Sequence, residues 1–139
     1  MDYRRYGDTI VVRLDRKEEI CEQLLKIARK EKITAASVSG IGATDDFTVG
    51  VFDLEKKGYN EFRFTGNHEI TALAGNVTTM NGETYLHLHM NCANAQGQVV
   101  GGHLMRAGIS LTCEIFMSLC DGKADRTHDD ELNLNRITF

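Results

Sequence analysis

Three histidines stand close together in the C-terminal half of the chain. His87 and His89 lie in Tyr85-Leu86-His87-Leu88-His89-Met90, and His103 follows in Gly101-Gly102-His103-Leu104. The chain holds only five histidines, so the grouping does not reflect a general abundance of imidazole. Residues two apart on a β-strand point to the same face, which puts His87 and His89 side by side. His103 follows a turn-like segment and can return beside them. Three neutral imidazoles on one face suit Zn²⁺ or a similar borderline divalent ion, and three protein ligands leave a fourth position open. A metal with an open position can polarise a carbonyl, or lower the pKa of bound water to about 7.

Hydrolytic or lyase chemistry at such a metal also needs an acid or base within reach. The carboxylates on offer are Glu69, Glu83, Glu114, Asp45 and Asp46. Glu69, beside His68, is the first candidate for a catalytic group, against the plainer reading of a surface or interface carboxylate. His68 and His128 lack ligand spacing to the other three and stand as outlying metal neighbours.

The geometry needs a particular hairpin. Directly opposed residues of an antiparallel pair share a face. His103 therefore joins His87 and His89 only if it opposes an odd-numbered residue of their strand, such as His89. That requires an odd-length loop centred on Gln96, which Ala95-Gln96-Gly97 supplies, Gly97 taking the left-handed position. A two-residue Gln96-Gly97 turn would place His103 opposite Met90 unless a bulge at Gly101-Gly102 corrected it.

The elements that must position these residues follow from patterning. Thr9–Leu14 is β-branched and short, and reads as a strand. Asp15 and Glu18 have capping-box spacing and predict a helix starting at Asp15. Ile20, Leu24 and Ile27 give its apolar stripe, and the basic Lys30–Lys32 stretch suits its end. Strands are predicted at Ala35–Ile41, Phe47–Leu54, Tyr59–Thr65, Glu69–Thr79, Glu83–Cys92, Gln98–Met105 and Ser110–Leu119. Asn81-Gly82 is the strongest hairpin signal. The stretch Asp121–Asn135 is polar and reads as a tail that wraps a neighbour or the surface. One early helix and many later strands predict an α+β fold: a mostly antiparallel sheet with one principal helix packed on it, in a single domain spanning residues 1–139.

Composition narrows the function classes. With 42% hydrophobic and 26% charged residues among 139, the chain can bury a core without staples. No run of about 18 apolar residues is present, so no membrane span is expected. No apolar signal-peptide core follows Met1, and the four cysteines show no CxxC spacing. Free thiols in a cytoplasmic protein are the expectation. A net charge of −4 gives no electrostatic reason to bind nucleic acid or anionic membranes. Phe47, Phe52, Tyr59, Phe62 and Phe64 could stack on bases, but few cations accompany them, and core or subunit packing is expected. Gly40-Ile41-Gly42 lacks the rest of a phosphate-loop motif.

Four motifs occur in order: SGIGAT at 39–44, HEITALAGNV at 68–77, LHLHMN at 86–91 and GQVVGGHL at 97–104. Together they resemble the PPC (plants and prokaryotes conserved) domain, over about Arg4 to Phe139. The resemblance implies an α+β fold, a homotrimer with histidine sites near subunit boundaries, and zinc held by His87, His89 and His103. Plant relatives attach an Arg-Gly-Arg-type AT-hook, and the family label DNA-binding follows from them. That element is missing here. Three functions stay open: a trimeric metal domain that binds or acts on a small molecule, a DNA-associated regulatory protein, and a structural zinc site.

Overall fold

The computed structural model describes all residues 1–139. Eight strands and one helix follow in the order β1 (Asp2–Tyr6), β2 (Thr9–Asp15), α1 (Ile20–Lys30), β3 (Ala36–Asp53), β4 (Gly58–Met80), β5 (Glu83–Ala93), β6 (Val99–Leu119), β7 (Asp125–Asp129) and β8 (Leu134–Thr138). The expected α+β class is overturned. Strands take 69% of the chain and helix 8%, and the sheet is mixed rather than purely antiparallel. The parallel component is short: β7 pairs with β4 at Thr79↔Asp125 and Met80↔Arg126.

The difference arises from strand length. Pieces that read as separate strands are continuous. The Ala35–Ile41 and Phe47–Leu54 segments both fall on one strand, β3 (Ala36–Asp53); the Tyr59–Thr65 and Glu69–Thr79 segments are both β4; the Gln98–Met105 and Ser110–Leu119 segments are both β6. The glycines and polar residues that read as strand ends are absorbed by register shifts at Gly40/Gly42 and Thr44/Asp46, where the strands bend without stopping. At Gly42 a side chain would come within 2.5 Å of the Thr112 carbonyl oxygen, so this glycine permits a close backbone crossing and does not form a phosphate loop. Asp121–Asn135, read as a polar tail without strands, contributes β7 and the start of β8.

Pairings β3–β4, β4–β5, β5–β6 and β6–β3 close a circuit. The core it packs around includes Leu73, Val77, Leu88, Met90, Ile115 and Met117, all essentially inaccessible. The helix buries Ile20, Leu24, Ile27 and Ala28 in the same core, as its stripe predicts. Full burial of a leucine such as Leu24 contributes about 1.5–3 kcal/mol. The helix starts later than Asp15, at Ile20 after the N-cap Glu19, whose carboxylate accepts from the Glu22 backbone N–H at 2.7 Å. Lys17 has φ +73, and its N–H donates to the Ile109 carbonyl at 2.8 Å, so residues 15–18 form a turn tied to β6.

At Asn81-Gly82 both residues have positive φ (+52 and +82), the two-residue hairpin turn the sequence signals. Along β5, Leu88 and Met90 face the core while His87 and His89 face outward. Strand alternation thus sets the histidines on the outside of the closed sheet.

Candidate metal centre

The β5–β6 hairpin has the expected odd loop. His89 pairs with His103, Met90 with Gly102 and Ala93 with Val99, with no register shift. Asn94 and Gln98 close the turn by a 3.0 Å backbone bond, and the Asn94 side chain accepts from the backbone N–H of Gln96 and Gln98, both at 3.0 Å. Gly97 has φ +74. No bulge is needed at Gly101-Gly102. Those glycines answer local crowding: a side chain at Gly101 would run into the Asn91 side chain, and one at Gly102 would come within 2.6 Å of the Gly50 carbonyl oxygen.

His87, His89 and His103 converge. Their ring centroids lie 5.1–5.5 Å apart, and one potential ligand atom from each falls within 4.8 Å of the others. Ligands about 2.0–2.1 Å from a tetrahedral ion lie about 3.4 Å from one another, a difference that imidazole rotation can close. Tyr59, from β4, stacks on His103 with centroids 4.7 Å apart and fixes that ring.

Two observations fit the cluster to a cation of this kind. Nδ1 of His103 is buried without any hydrogen-bond partner, a condition that normally costs stability and is relieved by a ligand. The site also keeps imidazoles neutral. Burial lowers the His103 pKa to about 4, with His87 and His89 adding to the effect. Burial likewise lowers that of His87, helped by the positive charge of Arg126 and by His89. Neutral imidazole is the form that binds metal.

The remaining residues singled out from the sequence lie elsewhere. Glu69 and His68 line a separate cleft with Arg16, Asp45, Asn94 and Ser110, and neither lines the cleft of the triad. Nδ1 of His68 bonds the Gly66 carbonyl at 2.7 Å, and its ring meets Phe47 edge-on. His128 bonds the Asn135 side chain at 2.9 Å. Phe47 is fully buried and stacks on Phe64, in keeping with core packing. All four cysteines are free thiols.

Sequence reasoning missed the rest of the cleft. It has a volume of about 620 Å³, and its wall includes Tyr59, Asn76, Tyr85 and Arg126 together with β8 residues. Arg126 is only 5% exposed. It donates to the Thr78 hydroxyl, the Asn135 carbonyl and the Asn76 side-chain oxygen, each at 2.8 Å, and lies 4.8 Å over the Tyr85 ring. An arginine alternating with polar residues in a tail carries no sequence signal for such a place.

Fold and site define a closed-sheet β domain whose outer face carries a three-histidine cluster beside an open cleft. Residues 1–121 match the Plants and Prokaryotes Conserved (PCC) domain, and the chain belongs to that family. Solved structures agree. A protein from Bacteroides thetaiotaomicron, provisionally labelled DNA-binding, is 29% identical with a TM-score of 0.96, over 99% of this chain and 96% of its own. A metal-containing protein from Archaeoglobus fulgidus is 28% identical with a TM-score of 0.89, over 100% and 99%. A plant- and prokaryote-conserved protein from Pyrococcus horikoshii is 29% identical with a TM-score of 0.87, over 99% and 94%. No curated protein matches the chain significantly. No helix is long and apolar enough to cross a membrane.

Proposed function

We propose that this is a homotrimeric domain in which His87, His89 and His103 hold one zinc ion per chain, next to a cleft that receives a small molecule. The observation that carries the reading is the convergence of three imidazoles around the partnerless, buried Nδ1 of His103. An all-imidazole set favours zinc over magnesium or calcium, which take oxygen ligands. The metal-containing relative from Archaeoglobus fulgidus supports it. Zinc so held would supply Lewis-acid chemistry at its open position. The chain's own residues do the positioning: Tyr59 orients His103 by stacking, and low-pKa imidazoles stay available to metal at neutral pH.

A cleft of about 620 Å³ is of the size that accepts small ligands. It supports binding or turnover of a small molecule over a purely structural zinc site, whose coordination is usually closed by four protein ligands. We read residues 1–139 as one domain, since Arg126 ties β7 to Asn76 and Thr78 of β4. Trimerisation is supported by apolar residues left open on the sheet, Ile41 (58% exposed), Leu111 (69%) and Phe116 (49%). Free thiols support a reducing, cytoplasmic setting.

Metal analysis of protein purified without added metal or an affinity tag tests the site: about one zinc per chain is expected by the ligand count, and none would refute it. Light scattering tests the assembly, with three chain masses expected and one chain mass refuting it. The DNA-binding label of the Bacteroides relative motivates a second reading. The net charge of −4 makes any DNA binding by this chain weak and steeply salt-dependent. Selective binding near the nanomolar range at physiological salt would restore that reading.

A further inference from the structure

Charge is distributed unevenly among the clefts of this acidic protein. The clefts around His68, around Thr34, beside β1 and beside Phe116 each carry at least one carboxylate. The cleft at the triad is lined by no acidic residue and by two arginines, Arg126 and Arg136. Arg136 is neutralised by Asp129. Arg126 has no carboxylate partner: its three hydrogen bonds go to a hydroxyl, a backbone carbonyl and a side-chain amide.

A guanidinium has five N–H donors. The bonds to Thr78, Asn135 and Asn76 use one each on Nε, Nη1 and Nη2. One N–H on Nη1 and one on Nη2 are left, enough for an oxyanion to accept from both. Tyr85 covers one face of the guanidinium, and the three bonds fix its plane. Burying an arginine without a counter-ion is costly, and such charges are normally paired. The missing charge is therefore expected from outside the chain. Arg126 lines the same cleft as His87 and bonds Asn76, the strand partner of His87, so an anion on Arg126 would sit next to the triad.

We propose that this cleft binds a small oxyanion, a carboxylate or phosphate compound, with its charged group forked by Arg126. Resting on the zinc reading above, a second donor atom of the same molecule reaches the open metal position. The site thereby selects anionic over neutral ligands. The cleft wall that does so comes from β7 and β8, beyond the residues that carry the metal triad.

Isothermal titration of the zinc-loaded full chain with succinate, with inorganic phosphate and with neutral acetamide tests this. At least one anion is expected to bind and acetamide is not; the anion that binds identifies carboxylate or phosphate as the source. Loss of one charge-assisted pair weakens binding by about tenfold or more, so Arg126→Gln should show that loss with zinc content unchanged. Should Arg126→Gln lower the melting temperature by loosening β7, Arg126→Lys decides: it keeps the charge without the fork, and several-fold weakening is expected. Unchanged anion affinity in the folded variant overturns the proposal and leaves the zinc reading standing. If wild type takes up no zinc, the zinc reading fails, and the same titrations on metal-free protein judge Arg126 alone. Equal affinity for succinate, phosphate and acetamide, or no binding of any, overturns the anion site in either case.

Discussion

Replacing His103 by phenylalanine separates the two roles of that side chain. In metal-free protein Nδ1 of His103 is buried without a partner, and an unmet buried polar atom costs about 1–3 kcal/mol. Phenylalanine keeps the 4.7 Å stack on Tyr59 and removes the orphaned atom. Its extra bulk offsets part of the gain, because overpacking costs about 1 kcal/mol or more. The net expectation is about 1 kcal/mol of added stability in the absence of metal. A chain of this size shifts its Tm by about 3–5 °C per kcal/mol. Zinc is expected to act the other way. At a hundred times its Kd it stabilises wild type by about 2.7 kcal/mol, or roughly 10 °C, and His103→Phe hardly at all. The order of melting should therefore reverse between chelator-treated and zinc-loaded samples in scanning calorimetry. If metal-free His103→Phe melts below wild type, or if zinc raises both proteins equally, the reasoning is wrong.

Three further outcomes are expected. His89→Ala should lose its zinc by elemental analysis while keeping the wild-type far-UV circular dichroism, since His89 is exposed and outside the core; full metal retention would count against the site. The Asp46 carboxyl is held down to about 2 by Arg63 and Arg106, below an unfolded value of about 3.9. Its contribution to stability is thus present above about pH 4 and fades as pH falls towards 2. Asp46→Asn should flatten the stability profile in that window, and an unchanged acid profile refutes the assignment. Gly75→Ala would push a methyl group into the His87 carbonyl, with a cost of about 1–3 kcal/mol in chemical denaturation and weakened zinc binding as β5 shifts; wild-type values for both would show that β5 yields freely.

The histidine hairpin was legible because its geometry is a matter of parity. Spacing of two puts His87 and His89 on one face, and a loop centred on Gln96 returns His103 opposite His89. The helix stripe was legible for a similar reason, since Ile20, Leu24 and Ile27 recur at helical spacing. The helix start was hidden, because lysine gives no hint of the positive φ that Lys17 adopts. The length of the strands was hidden as well. Glycines at 40 and 42 look like punctuation, yet they serve close strand crossing inside β3. Arg126 was beyond reach because its position depends on a two-residue parallel pairing of β7 with β4, made by residues far apart in sequence. Glu69 misled by adjacency: standing next to His68 in a motif does not bring it to the triad, because both face another cleft.

The closed circuit of strands has a consequence for synthesis of the chain. The pairing that completes it joins Ala36 at the start of β3 to Leu119 at the end of β6. During translation β3 and β4 emerge first and can pair, but one long edge of β3 has no partner until β6 is complete. At about 5–20 residues per second, that edge waits roughly 3–13 seconds after β3 has been made. An unpaired edge of this length is a template for strands of other nascent chains. Yield in the cell is therefore expected to depend on how fast the second half of the message is read, and on chaperones that shield β3 meanwhile.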